Sequence, residues 1–343
     1  MLWNRGTGIV SGETGMFIGK NSIRLLFPAE KILKVYNSTL EAEYQAGRDF
    51  SHERGSDILY ALPGTEMPML PEEAIYPDPE TAIIYPQPGA NAVRGGADGK
   101  YLLFSAENFF ARNQISVDYQ AVSGTVFPEN PVLKNGQLPR VSKLLKEGGT
   151  LRVTLIGDSI SEGINSTKIM NCPPYAPTYI ESFAKGLESK FNVSVEINNS
   201  AVNGTGCRHA FEIEERWKTP PCDLLVIAYG MNDFARLSAQ KYSEVIQEIM
   251  RRMHEVYPET EFLLITSMSG NALWKSLPPG ADLAFAEELR KLESSTVAIG
   301  DVNPFWNSIL ERKDFYDITG NGVNHPNDYG YRIYAKVLLD LFG

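Results

Sequence analysis

The sequence predicts an α/β protein in which an antiparallel β-sandwich, of jelly-roll type, precedes a doubly wound parallel sheet. Three observations carry this expectation. Short β-type segments punctuated by Pro and Gly fill the first part of the chain, the texture changes near residue 130, and five apolar runs then alternate with amphipathic helices. A chain of 343 residues is long enough for two domains at about 100–200 residues each. The composition divides it into a β-rich accessory domain over 1–130, a linker with one short helix over 131–149, and an α/β domain over 150–343.

In the first part, SIRLLFPAEKILKVYN, DILYAL, TAIIYPQ, YLLFSA and QISVDYQAVSG have strand character. In the last of these Ile115, Val117 and Tyr119 alternate with polar residues, the period of a half-buried strand. The linker, FPENPVLKNGQLPRVSKLLKEGG, is broken by Pro and Gly. Beyond it the strands read LRVTLIG, VSVEINNS, DLLVIAYG, EFLLITSM and TVAIGDV. The helices read PTYIESFAKGLESKF, SEVIQEIMRRMHEVY, ADLAFAEELRKLE, PFWNSILERK and a last one from about Asn327 to Phe342. Ile180, Phe183 and Leu187 recur at helical spacing in the first helix, as do Ile333, Val337 and Leu341 in the last. In such a sheet ligands bind beyond the carboxyl ends of the strands, so the loops there are where chemistry is to be sought.

Composition excludes several classes. With 43% hydrophobic and 22% charged residues the chain can bury a core, which rules out disorder as its main state. A formal charge of −10 is the wrong sign for holding a phosphate backbone, so nucleic acid is not an expected partner. No run of eighteen apolar residues predicts a membrane span, and MLWNRGTGIVSGET lacks the basic and apolar regions of a signal peptide. Cytoplasmic residence is the default expectation, with secretion if a leader has been removed. Cys172, Cys207 and Cys222 read as buried, idle thiols, and no CxxC pair suggests zinc.

Four blocks stand at strand or helix boundaries. Gly157-Asp158-Ser159 places a hydroxyl at the first turn after LRVTLIG, near a helix N-terminus whose N–H groups can support a developing anion. It is not the GxSxG elbow, because Ser161 stands where the second glycine would be. Gly204-Thr205-Gly206 follows the second strand. As a dinucleotide fingerprint it fails at His209, and it reads as a tight turn or as a backbone N–H offered to an oxyanion. Met231-Asn232-Asp233 supplies a carboxamide after the third strand. Of the four histidines, His52 sits among charges in the β-rich part, His254 reads as a solvated mid-helix residue, and His325 borders the sheet edge just before the last helix.

Taken singly, each block is an ordinary turn or cap. Together and in this order GDS, GTG, GMND and NHPND resemble the blocks of the SGNH, or GDSL, hydrolase superfamily over roughly residues 150–343. The resemblance implies a flavodoxin-like α/β/α fold and a serine esterase without metal or organic cofactor. By matching position to position it implies Ser159 as nucleophile and His325 as its general base. The N–H of Gly204, the side-chain amide of Asn232 and the N–H of Ser159 would form the oxyanion hole. The family usually carries an Asp three residues before the His, where this chain has Gly322. The expectation is therefore a Ser-His dyad whose imidazole is oriented by a main-chain oxygen near Asn321 or Gly322, with Asp317 as the alternative side-chain acid. Asp328 reads as a first-turn residue complementing the dipole of the last helix.

A β-rich domain ahead of this hydrolase domain, with the Asp missing, is similar in layout to family 2 carbohydrate acetylesterases. The implied substrate is a small-molecule or oligosaccharide ester carrying an acetyl group on a sugar hydroxyl. Trp274 and Trp217 are candidate sugar platforms, and both read equally well as core residues. The alternatives are a lysophospholipase or thioesterase acting on lipid-type esters, and a carbohydrate-binding protein that kept the fold with weak catalysis. The missing leader favours short imported oligosaccharides over an intact polymer.

Overall fold

The computed structural model describes residues 2–95 and 99–343. Its N-terminal region is strand-rich and largely antiparallel. One five-stranded sheet is built from β1 (Trp3–Asn4), β2 (Ile9–Gly15), β3 (Ala29–Asn37), β4 (Glu43–Tyr44) and β5 (Ile115–Ala121), in the order β1-β2-β5-β3-β4. A second, three-stranded sheet pairs Ile58–Ala61 with Ser22–Arg24 and Phe50–His52. The last strand, β5, lies between β2 and β3, and its Ile115, Val117 and Tyr119 are fully buried, as their alternation predicts. Strand β2 was not among the expected segments. IVSGETG carries two glycines and an acid, and Glu13 is buried because it accepts hydrogen bonds from the Leu26 N–H at 2.8 Å and the Tyr119 hydroxyl at 2.7 Å. TAIIYPQ, in contrast, forms only a single bridge, Ile84 to Ala92. Pro86 and Pro88 remove two alternate donors that a ladder would need.

The segment between the two regions holds the expected short helix, α1 (Pro139–Glu147). Beyond it five parallel strands follow: β6 (Gly149–Gly157), β7 (Val193–Asn199), β8 (Leu224–Ala228), β9 (Glu261–Ile265) and β10 (Val297–Gly300). Their order is β7-β6-β8-β9-β10, which is the flavodoxin-like order 2-1-3-4-5 when the strands are counted along the chain. Strands β8 and β9 are buried at every residue, as central strands covered on both faces must be. Strand β7 lies at the sheet's edge and alternates partly buried with exposed residues over Val193–Ile197.

The helices of this part include α2 (Ser159–Glu162), α3 (Tyr179–Lys190), α4 (Ala239–Val256), α5 (Ala281–Arg290), α6 (Val302–Leu310) and α7 (Asp328–Leu341). Helix α3 starts at a Thr178–Glu181 capping box, and α7 starts where the Asn327 side chain accepts from the Gly330 N–H at 2.9 Å. Helix α3 packs on α7, and α4 on α5. His254 lies in the last turn of α4 and is half-buried, not solvated. Its Nε2 stands 2.9 Å from the Thr260 carbonyl and its ring meets Phe262 edge-on.

Most of the buried apolar side chains of both regions form one continuous cluster, reaching from Leu2 to Leu341. Across the join, Trp3 lies against Phe127 and Phe305. A buried ion pair also crosses it: Lys313 Nζ stands 3.0 Å from Glu13 and 3.5 Å from Asp317, and donates to the Arg24 carbonyl at 2.6 Å. Removing one partner of such a group strands the other charge in the core. Glu13→Ala is expected to destabilise the protein by about 3–5 kcal/mol, read as a lower urea midpoint with an unchanged slope.

Candidate active site

The switch point of the sheet lies between β6 and β8, where chain order reverses and a crevice opens at the carboxyl ends of the strands. Ser159 is the first residue after the β6 turn and begins α2. The Asp158 side chain caps that helix by accepting from the Ile160 N–H at 3.0 Å, and burial pushes the Asp158 carboxyl up to about 7. Ser159 is buried at the floor of a cleft of about 940 Å³ that also exposes Gly204, Asn232 and His325. The structure therefore brings together the four residues that the sequence singled out for their order alone.

His325 Nε2 stands 2.8 Å from Ser159 Oγ. The ring is only 7% exposed, and burial lowers its pKa from the usual histidine value to about 4, because no neighbouring charge opposes the desolvation. Gly204 has φ +75°, the left-handed conformation that glycine adopts without strain, and lies open to the cleft. The Asn232 amide donates one N–H to the Thr205 carbonyl at 2.9 Å. Its neighbour Asp233 accepts from the Cys207 N–H at 3.1 and 3.0 Å. The MND and GTG loops are thus stitched to each other, which fixes the carboxamide beside Gly204.

The other ring nitrogen of His325 corrects an expectation. Its partner is the side-chain oxygen of Asn165, 2.7 Å from Nδ1, and neither a main-chain oxygen near Asn321 or Gly322 nor Asp317. Each of those three is engaged elsewhere. Asn321 Oδ1 accepts from the N–H groups of Val323, Asn324 and His325 at 2.9, 2.9 and 3.0 Å and shapes the histidine loop. The Gly322 carbonyl accepts from Asn271 Nδ2 at 2.9 Å. The Asp317 carboxylate accepts from the Met16 and Asp314 N–H groups at 2.8 and 3.0 Å and faces Lys313. Asn165 carried no sequence signal. It lies on the turn after α2, and only folding brings that turn under the histidine. Asp328 does more than begin a helix: its carboxylate accepts from the Thr167 N–H and hydroxyl at 2.9 and 2.6 Å, tying the Asn165 turn to α7.

The two tryptophans separate. Trp217 is fully buried, with Nε1 donating to the Ala210 carbonyl at 2.8 Å, so it is a core residue and no sugar platform. Trp274 is half-buried and lines the cleft. Its loop pairs with the N-terminal region through a Gly95–Trp274 bridge and a 3.0 Å bond from the Lys275 N–H to the Arg94 carbonyl. The N-terminal region builds much of the opposite wall with Tyr85, Asn91, Phe104, Glu107 and Phe109. All three cysteines are free and buried. No group of three His, Cys, Asp or Glu side chains fit to hold a metal occurs among the described residues, and no described helix is long and apolar enough to cross a membrane.

A flavodoxin-like sheet with a serine–histidine hydrogen bond at its switch point has the layout of an ester hydrolase of the SGNH type. Residues 155–333, about half of the chain, match the GDSL-like lipase/acylhydrolase family, and the chain belongs to that family. Among solved structures it is similar to a two-domain esterase active on acetylated mannans, at 20% identity and a TM-score of 0.48. That match covers 61% of this chain and 54%, about half, of the esterase. It is also similar to an acetyl xylan esterase from Geobacillus stearothermophilus, at 18% identity and a TM-score of 0.43 over 57% of this chain and 96% of that one. A lipolytic G-D-S-L family protein from Veillonella parvula gives 17% identity and a TM-score of 0.43 over 56% and 98%. No curated protein sequence matches the chain.

The depressed basicity of His325 sets a pH expectation. In the unfolded chain the imidazole takes up its proton near 6.5, whereas in the folded protein it stays neutral down to about 4. Between those values acid favours the unfolded chain through this group, so its contribution to stability falls as pH drops. A ring-carbon NMR titration of His325 should show a single step near pH 4, well below those of an unfolded control.

Proposed function

We propose that Ser159 and His325 carry out ester hydrolysis by an acyl-enzyme route, and that the substrate is a short acyl ester, foremost O-acetyl, on a carbohydrate. The 2.8 Å contact between His325 Nε2 and Ser159 Oγ, on the floor of the open cleft, carries the first part of this reading. His325 Nε2 takes the Ser159 proton as Oγ attacks the ester carbonyl. The protonated ring then returns that proton to the leaving alkoxide. Water, deprotonated by the same nitrogen, cleaves the acyl-enzyme to release acid and free serine.

The negative oxygen of each tetrahedral intermediate needs donors that are already in place. Asn232 has a second amide hydrogen beyond the one held by Thr205, and the N–H groups of Ser159 and Gly204 donate to no protein acceptor among the described residues. Three donors on residues that line one cleft with the Ser159 hydroxyl support the oxyanion-hole reading. Asn232→Ala is expected to lower kcat by about 100-fold or more with little change in unfolding midpoint, measured on a preferred ester.

The carbohydrate reading rests on the walls of the cleft. Asn91, Asn203, Asn324, Arg94, Arg236 and Glu107 offer donors and acceptors for hydroxyls, and half-buried Trp274 offers an aromatic face for C–H surfaces. Ile84, Leu103, Phe109, Ile164 and Val323 also line it, which favours a lipid-type ester as the second reading. Initial rates on nitrophenyl esters from acetyl through decanoyl, with Ser159→Ala as control, separate the two. The first reading expects acetyl to be fastest, rates to fall with chain length, and hydrolysis to vanish in the variant. Rates that rise with chain length would move the substrate to lipids.

A further inference from the structure

We infer that Asn165 is the positioning residue of His325, accepting the Nδ1–H bond for which a catalytic triad uses a carboxylate, and that the N-terminal region sets the direction of its amide through the Ser105 carbonyl. The inference rests on the Ser159–His325 reading above. A neutral imidazole carries one proton. For Nε2 to accept from Ser159 that proton must sit on Nδ1, and Nδ1–H needs an acceptor in a place closed to water. Asn165 Oδ1 at 2.7 Å is that acceptor.

An amide has two ends, and the wrong one would be disabling. With Nδ2 turned towards Nδ1 the ring would be driven to the opposite tautomer, and Nε2–H would point at the serine. What holds Oδ1 towards the histidine is on the other side of the amide. Asn165 Nδ2 faces the Ser105 carbonyl at 3.4 Å and the Met170 sulfur at 3.9 Å, both acceptors. Ser105 is itself pinned to the histidine loop, its N–H donating to the Asn321 carbonyl at 3.1 Å.

The backbone agrees with this placement. Asn165 has φ +68°, a left-handed conformation that Asn adopts more readily than most residues. On the histidine side Gly320 allows the approach, since a Cβ there would stand 2.7 Å from the Asn165 Cβ. Asn165 is 5% exposed.

A neutral partner has a chemical consequence. A carboxylate at this place would favour the imidazolium by its charge as well as orient the ring, whereas an amide only orients it. The charged side chains sharing the cleft are Arg94 and Glu107 from the N-terminal region, Arg236 after β8 and Lys275 after β9, all exposed at its rim. Behind Ser159 stand buried Asp158 and, in the neighbouring loop, Asp233. None of them bears on the basicity of the ring, which burial alone depresses. The site is thus built to keep its base free of a proton in acid, and to hold the ring by geometry.

The test uses the full chain with Asn165→Asp, Asn165→Gly and Ser159→Ala. Both Asp and Gly tolerate the left-handed backbone. Hydrolysis of an uncharged short-chain ester is followed from pH 3 to pH 9 by chromatography of the product, and nitrogen NMR of labelled histidine reads the tautomer without relying on turnover. In wild type kcat/KM should be half-lost near pH 4, and Asn165→Asp should move that acidic limb upwards by about one to three pH units. Asn165→Gly should lower kcat at least about tenfold with KM changed less than about twofold, and should convert an Nδ1-protonated ring into a tautomer mixture. An acidic limb in Asn165→Asp that coincides with wild type, or an unchanged tautomer in Asn165→Gly, overturns the inference. Retained hydrolysis in Ser159→Ala would instead overturn the serine reading, while the tautomer measurement would still decide whether Asn165 holds the ring.

Discussion

An imidazole that is almost wholly buried keeps its place only if both nitrogens find partners, because an unmatched polar atom in a closed site costs about 1–3 kcal/mol. His325 finds a hydroxyl on one side and an amide oxygen on the other, at 2.8 and 2.7 Å. Those partners come from opposite ends of one short piece of chain, Ser159 at the start of α2 and Asn165 just beyond it. The loop carrying the histidine must therefore come down over that turn with little latitude. Much of the polar network in this part of the molecule serves that requirement. Asn321 gathers three N–H groups of the loop, the Thr319 hydroxyl donates to the His325 carbonyl at 3.0 Å, and Asp328 ties the Asn165 turn to the last helix.

The N-terminal region belongs to this arrangement. Gln114, buried before β5, donates to the carbonyls of Tyr316 and Thr319 at 2.7 and 2.9 Å and accepts from Asn327 at 2.9 Å. Ser105 touches both the histidine loop and Asn165, and the Glu13–Lys313 pair anchors β2 to the segment leading into that loop. The region also walls the cleft. A continuous core and a shared polar network make the β-rich part a structural component of the site, which its composition alone does not reveal.

Much of the fold was legible because its signals are local. The five apolar runs became the five strands of the parallel sheet, and each amphipathic segment became a helix within a few residues of its expected ends. Where reading failed, a longer-range interaction had replaced the local signal. Strand β2 carries Glu13 in the core because Lys313, some 300 residues away, neutralises it. His254 looks solvated in a charged helix, yet it bonds a carbonyl on the loop that follows. Trp217 and Trp274 are alike as letters, and only their surroundings send one into the core and the other to the cleft.

The alternation of apolar runs and amphipathic segments by itself determined the class of fold, and the GDS, GTG, GMND and NHPND blocks marked the four residues at its switch point through their resemblance to a known family, because chain order dictates which loops meet at the carboxyl edge of a doubly wound sheet. The partner of the histidine was decided only in three dimensions. An asparagine on a turn has no spacing that marks it, and sequence distance from His325 says nothing about it. Its role depends on the direction of an amide, which follows from a carbonyl sixty residues earlier in the chain and from a loop 160 residues later.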